Sequence, residues 1–209
     1  GAIGGAAGVI IYALVKKIDL LQWTDMALAA LPLGYMFGRI GNFINGELYG
    51  RVTSAPWGVL FPDAERLPVS EPWVRDLMNA PGLQGVGGLV NLPRHPSQLY
   101  EAFGEGLLLW LVLWFIVRKR KTFKGQVIAA YFIGYGAIRF IIEYFRTPDK
   151  GMDFPVMLTP VSSTSQLEIY PFNFTTGQLL CAGMIAAGIL LHFILKRRAV
   201  KMQAAAVSG

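Results

Sequence analysis

The sequence predicts an all-α, polytopic transmembrane helical protein, and three observations predict it. The composition is 54% hydrophobic and 15% charged, with a mean hydropathy of +0.45, whereas ordinary globular domains carry about 25% charged residues. The apolar residues come in runs that approach the length of about 20 residues with which a helix crosses a hydrocarbon core of about 30 Å. The 19 Lys and Arg gather at alternate ends of those runs, as they do when positive loops stay in the cytoplasm. Residues 1–209 read as one membrane domain of about five spans, with an external lobe at residues 46–95 and a second external loop at residues 147–173.

Composition also narrows the chemistry. A single cysteine, Cys181, leaves no intrachain disulfide or paired-cysteine metal site, and His95 and His192 are too few and too far apart for zinc. No cofactor and no metal are expected. A net charge of +6 would suggest nucleic acid in a soluble protein, but here the basic runs read as cytoplasmic anchors, and no nucleic-acid partner is expected.

The chain opens in GAIGGAAGVIIYAL, with no initiator Met and no signal-peptide pattern, and so reads as a piece of a longer protein. Gly1 to Val15 is too short to span alone and reads as the tail of a helix. Gly1, Gly4, Gly5 and Gly8 follow the small-residue spacing that lets helices approach closely in lipid. After Lys16 and Lys17, a second span runs from Asp25 to Phe37, with a break or kink expected near Pro32. It dissolves into GRIGNFINGELYG, Gly38 to Gly50.

Between Glu47 and His95 there is no 20-residue apolar run, and acids (Glu47, Asp63, Glu65, Glu71, Asp76) balance arginines (Arg51, Arg66, Arg75, Arg94). Pro96 and Ser97 start a third span, Gln98 to Val117, apolar except for Glu101 and Glu105 in its first turns. It ends in the basic cluster Arg118, Lys119, Arg120, Lys121 and Lys124. Gly125 to Arg146 is a fourth span and Thr176 to Leu195 a fifth, followed by Lys196, Arg197, Arg198 and Lys201. Between these two lies a loop carrying Pro148, Pro155, Pro160 and Pro171. The basic ends fall on one side, so both proline-rich segments fall on the other. No internal repeat is visible.

Charges inside the spans carry the functional signal, because a charged side chain near the bilayer centre costs roughly 2.5–3.5 kcal/mol on insertion scales. Helical spacing puts Arg139, Glu143 and Arg146 on one face, with Tyr131 and Tyr135. Taken alone, this group also reads as a structural ion pair. One glutamate cannot neutralise two arginines, so an unpaired positive charge is expected there. Arg39 ends another span at the same external depth, and two converging cations suit an anion. Arginine grips phosphate through a planar fork and keeps its proton. Gly38 and Gly41 permit close backbone approach, and Asn42 and Asn45 can bond glycerol oxygens.

These residues carry a resemblance. GRIGNFINGELYGR, RHPSQLYEA (Arg94 to Ala102) and the GxxRFxxExxR pattern at Gly136 to Arg146, in this order, resemble the motifs of the prolipoprotein diacylglyceryl transferase family. The resemblance implies a multi-pass enzyme of the bacterial inner membrane whose site opens toward the periplasm, so that the external segments are periplasmic. It implies transfer of a diacylglyceryl group from phosphatidylglycerol to the lipobox cysteine of preprolipoprotein signal peptides, with release of glycerol phosphate. Arg39 and Arg139 match the family's essential arginines. Asn42, Glu47 and Gly50 match further signature positions, and Glu143 matches the carboxylate one turn after the second arginine. The resemblance thus assigns Arg39, Arg139 and Glu143 to catalysis, and Arg39, Asn42, Glu47, Gly50, Arg139 and Arg146 to substrate binding. Its histidine motif, H-G-G-x-x-G, has a tail that looks like GAIGG, placing that histidine just before Gly1.

The remaining candidates read as structural. His95, beside a proline at a helix start, suits a loop or capping role, and His192 and Cys181 suit packing. Trp110 and Trp114, one turn apart, suit packing or lipid contact. Gly82 to Gly88, GLQGVGG, lacks the lysine and strand-to-helix setting of a phosphate loop. Two other functions would use the same arginines: a carrier or flippase for anionic phospholipid, and a non-catalytic insertion or scaffold protein. Secondary carriers often pair broken helices in two halves, and this chain shows one kinked span without a matching half.

Overall fold

The computed structural model describes residues 2–78, 85–147, 154–160 and 170–208. It is mostly helical. In chain order the helices are α1, Ala2–Val15; α2, Leu20–Ile44; the short α3, Pro72–Leu77; α4, Ser97–Arg120; α5, Gln126–Ile142; and α6, Thr176–Ser208. Two antiparallel pairs of two-residue strands accompany them. β1 (Leu67–Pro68) pairs with β2 (Leu89–Val90), and β3 (Val156–Met157) with β4 (Asn173–Phe174). Among the described residues, three stretches are long and apolar enough to cross a membrane: Ser97–Arg120, Gln126–Phe145 and Thr176–Ala206.

Helix α2 departs from its expected bounds at both ends. It starts at Leu20, where Asp19 Oδ1 accepts the Gln22 amide at 3.2 Å as an N-cap. It runs unbroken through the buried Pro32 to Ile44, so the first half of GRIGNFINGELYG is helical rather than loop. Proline is tolerated inside a helix whose neighbours hold it, and the neighbouring Ala29 is fully buried in the core between α2, α4 and α5. Asp25, expected at the start of a span, lies inside the helix and is 2% exposed. Its oxygens accept the Gly125 and Ile128 amides at 2.8 and 3.1 Å, so α2 caps the amino end of α5.

Helix α4 contains two π-helical segments, Ala102–Leu108 and Val112–Val117. The first crosses α2 at Gly106, where a β-carbon would stand 2.6 Å from Met36 Cβ and 2.9 Å from Met36 Cα. Only glycine lets the two helices lie this close, and the approach sets Glu101 and Glu105 beside the last turns of α2. Leu109 and Leu113 of α4 and Val127 of α5 join Ala29 in the core, with Tyr131, Tyr135 and Ile138 against it. Helix α6 continues past its expected end at Leu195 to Ser208, because Lys, Arg and Ala are all good helix formers.

The segment from Gly46 to His95 has a core of its own: Val52, Leu67, Val74, Val90 and Leu92. Arg94 is buried there, with Nη2 donating to the Glu65 carbonyl at 3.1 Å and the guanidinium over the Tyr49 ring. Of the expected glycine-rich loop, residues 82–84 lie outside the described residues, as do Gly1 and Pro148. In the second loop, Asn173 is fully buried, and its Oδ1 accepts the Leu158 and Thr159 amides at 2.9 Å each.

Candidate functional site

Three arginines, one at the end of α2 and two at the end of α5 and just beyond it, converge on one carboxylate. Glu101, one turn into α4, has no exposed surface. Arg39 Nε on α2 lies 2.8 Å from its Oε2, Arg139 Nη1 on α5 lies 3.0 Å from the same oxygen, and Arg146 Nη1 lies 2.8 Å from Oε1. Tyr35, one turn before Arg39, donates its hydroxyl to Glu101 Oε2 at 2.9 Å and accepts from Arg39 Nε at 2.7 Å. A carboxylate removed from water needs such partners on both oxygens.

Glu143 and Glu105 complete the cluster. Glu143 Oε2 stands 3.3 Å from Arg139 Nη2 and 3.7 Å from Arg146 Nε, and its Oε1 accepts from Thr175 Oγ1 at 3.3 Å. Glu105, one turn beyond Glu101, places Oε1 3.5 Å from Arg139 Nη1. The α-helix ends at Ile142 and a 3-10 turn covers Glu143–Phe145, so Arg146 reaches Glu101 from beyond the helix. Tyr135 meets Tyr35 edge to face with ring centroids 6.2 Å apart, and Tyr131 stacks on Tyr135 at 5.7 Å.

The expected surplus of positive charge is therefore corrected at the level of a simple count. Glu101 and Glu105 bring the carboxylates to three against three arginines. The fourth span carries only Glu143, and the two missing carboxylates come from α4, whose partner across a helix interface sequence spacing cannot reveal. Glu101, Glu105 and Tyr35 are the members that sequence reasoning missed. Their traces were there: YE closes the RHPSQLYEA motif, and Glu101 and Glu105 are four apart inside an apolar span.

The arginine side chains keep 17–18% exposure while Glu101 keeps none, so the cations form the outer layer and the anion the inner one. Arg39 turns its Nε edge to Glu101 and Tyr35. Among the described residues, its Nη1 meets only the Asn42 Oδ1 at 3.5 Å. Asn42 Nδ2 in turn donates to Glu47 Oε1 at 2.8 Å, and Asn45 Nδ2 contacts the same oxygen at 3.5 Å. Asn42, Asn45 and Glu47 thus form a hydrogen-bonding shelf beside the guanidinium, two amides held by one carboxylate.

Backbone geometry holds this shelf to the cluster. Gly46 and Leu48 turn the chain after α2 with positive φ of 69° and 59°, a conformation costly for leucine. The start of α4 fastens the turn, with Gln98 Nε2 donating to the Glu47 carbonyl at 2.6 Å and Ser97 Oγ to the Leu48 carbonyl at 3.2 Å. Gly50 then pairs antiparallel with Arg146, its amide donating to the His95 carbonyl at 2.9 Å. A β-carbon at Gly50 would stand 2.3 Å from the Phe145 carbonyl oxygen. Gly50 therefore brings no side chain to the site; it lets the chain pass close enough to position Arg146.

His95 does not join the arginines among the described contacts. Its backbone bridges Gly50 and Arg51, its ring packs on Phe145 at 5.2 Å, and its Nδ1 lies 3.1 Å from Tyr100 Oη. Burial pushes its pKa below the ordinary histidine range. His192 packs between Phe123 and Phe193 midway along α6, Cys181 is buried, and Trp110 stacks on Trp114.

Two comparisons bear on the site. The sequence model of the family described as prolipoprotein diacylglyceryl transferase matches residues 1–194. The phosphatidylglycerol–prolipoprotein diacylglyceryl transferase of Treponema denticola is 44% identical over 212 residues, covering 97% of this chain and 61% of its own length. That of Treponema pallidum is 46% identical, covering 90% and 58%, and that of Chlorobaculum tepidum 41%, covering 95% and 55%. The chain spans somewhat over half the length of these curated relatives.

Proposed function

This chain belongs to the prolipoprotein diacylglyceryl transferase family, and from that premise we propose that the full protein moves a diacylglyceryl group from phosphatidylglycerol to the lipobox cysteine of a preprolipoprotein signal peptide. The cysteine sulfur attacks the glycerol carbon that carries the phosphate, the carbon–oxygen bond breaks, and glycerol phosphate leaves with the bonding pair on its oxygen. The thiol proton is lost as the thiolate forms. A free thiol has a pKa near 8.5, so a positive field or a base assists that loss.

The observation that carries this reading is the convergence of Arg39, Arg139 and Arg146 on the buried Glu101. Guanidinium groups fixed by a buried anchor need no reorganisation when charge develops on a leaving phosphate oxygen. In this reading Arg39 and Arg139 hold the phosphate, and Asn42, supported by Glu47, places the headgroup. Glu143 orients Arg139 and Arg146, and Gly50 sets the position of Arg146. Phosphatidylglycerol, preprolipoprotein signal peptides and surrounding membrane lipids are the partners.

The same reading places the protein in the bacterial inner membrane with about five spans in this stretch. The lobe at residues 46–95 and the loop at residues 147–173 then face the periplasm together with the arginines. The Lys and Arg clusters at the opposite helix ends support that orientation. The test is transfer of labelled lipid from phosphatidylglycerol vesicles to a lipobox peptide by the purified full-length protein. Labelled thioether product is expected. Lipid that crosses the bilayer unchanged, with no product, would favour a carrier instead.

A further inference from the structure

The helix ends opposite the arginine cluster enclose a second charged cavity. Asp25 precedes Arg39 by fourteen residues on α2, about 21 Å along a helix that rises 1.5 Å per residue. Beside it lies a cavity of about 530 Å³, lined by Asp19, Trp23, Asp25 and Met26 from the start of α2 and by Arg118 and Lys121 from the end of α4. Val127, in the first turn of α5, adds a third wall.

The acids of this cavity are already engaged. Asp25 is 2% exposed, its oxygens accept the Gly125 and Ile128 amides, and Lys121 Nζ stands 3.6 Å from Oδ2. Asp19 pairs with Lys124 and accepts the Gln22 amide. Arg118 lies over the Trp114 ring at 4.1 Å and makes no ion pair among the described residues. Three cations (Arg118, Lys121 and Lys124) thus meet two carboxylates, and the cation left over carries the planar fork that suits phosphate. Next to these charges Leu21, Trp23 and Met26 are exposed. A cation above an apolar flank matches a phospholipid, whose phosphate sits over its acyl chains. Basic pockets between membrane helices hold such headgroups, and tryptophan favours the same depth.

We propose that this cavity binds the phosphate of an anionic phospholipid in the leaflet remote from Arg39 and Arg139. The site offers one net positive charge to a phosphodiester that carries one negative charge. A zwitterionic lipid brings its own cation and gains less, and a free phosphate leaves the apolar flank uncovered. The proposal requires no transfer chemistry.

Native mass spectrometry of the full-length protein tests it, with phosphatidylglycerol, phosphatidylcholine or inorganic phosphate added in detergent. The wild type is expected to retain one more phosphatidylglycerol than Arg118→Gln/Lys121→Gln, and neither phosphatidylcholine nor inorganic phosphate should displace that lipid at equal concentration. Where the double variant does not fold, Arg118→Gln alone, which breaks no ion pair among the described residues, should weaken the same lipid at least about tenfold, the scale of one charged hydrogen bond. Equal retention by the wild type and the folded variants overturns the proposal. So does displacement by phosphatidylcholine, or by inorganic phosphate, which assigns the cavity to a free anion. Lipid retention is read without a peptide acceptor, so failure of the transferase assay and failure of this site are separate results.

Discussion

Arg39 spends one edge of its guanidinium on an internal carboxylate and keeps the other toward Asn42, a division that lysine cannot reproduce because an ammonium is a point charge without a fork. Arg39→Lys is therefore expected to insert and fold normally while transfer falls roughly 10²–10³-fold, the scale of removing one oriented donor from a developing anion. Wild-type rates in that variant would contradict the phosphate role. Glu101 makes a different prediction, because removing it leaves three half-buried arginines with their shared anchor gone. Glu101→Ala should cost about 3–5 kcal/mol of stability, read as a lower thermal midpoint in detergent. An unchanged midpoint would mean the arginines are held by other means. Arg139, Glu143 and Arg146 were legible from helical spacing within one segment, and Arg39 from its place at the end of another span. Glu101 and Tyr35 were not, because their partners lie on other helices.

At the scale of elements, the site is a junction: the side chains of Gln98 and Ser97 donate to the Glu47 and Leu48 carbonyls, and backbone bonds join Gly50 to His95 and Arg51 to Phe145, tying the end of α2, the start of α4 and the turn after α5. Gly50→Ala should force the chain off the Phe145 carbonyl and displace Arg146, lowering transfer at least tenfold even though no polar group is lost. A variant with full activity would show that the close approach is dispensable. His95 lies in the same junction, and its pKa is pushed below the unfolded value near 6.5 by burial. Because the folded state resists the proton, the contribution is fully present above about pH 6.5 and is lost as the pH falls below it. Melting curves from pH 8 to 5 should show that decline, and His95→Gln should flatten it. The starts of α4, α5 and α6 were visible in the sequence, whereas the bounds of α2 and the far end of α6 were not. The unbroken passage through Pro32 and the capping of α5 by Asp25 were not, since both depend on what packs against α2.

Considered whole, the molecule places its arginines at one end of the helices and its lysine and arginine clusters at the other, a polarity that charge counting alone predicted from the sequence. The ordered motifs pointed to the family before any geometry was known, because they carry residue identity as well as spacing. What they could not convey was the electrostatic balance, in which three arginines are met by three carboxylates. The account rests on the arginine cluster acting on a lipid phosphate during transfer. The most direct test is full-length protein in phosphatidylglycerol vesicles with a lipobox peptide, comparing wild type with Arg39→Lys and Arg139→Lys at matched folded amounts. The account predicts labelled diacylglyceryl on the cysteine for the wild type and a loss of at least about 100-fold in each variant. Equal transfer by all three, or none by the folded wild type, would contradict it.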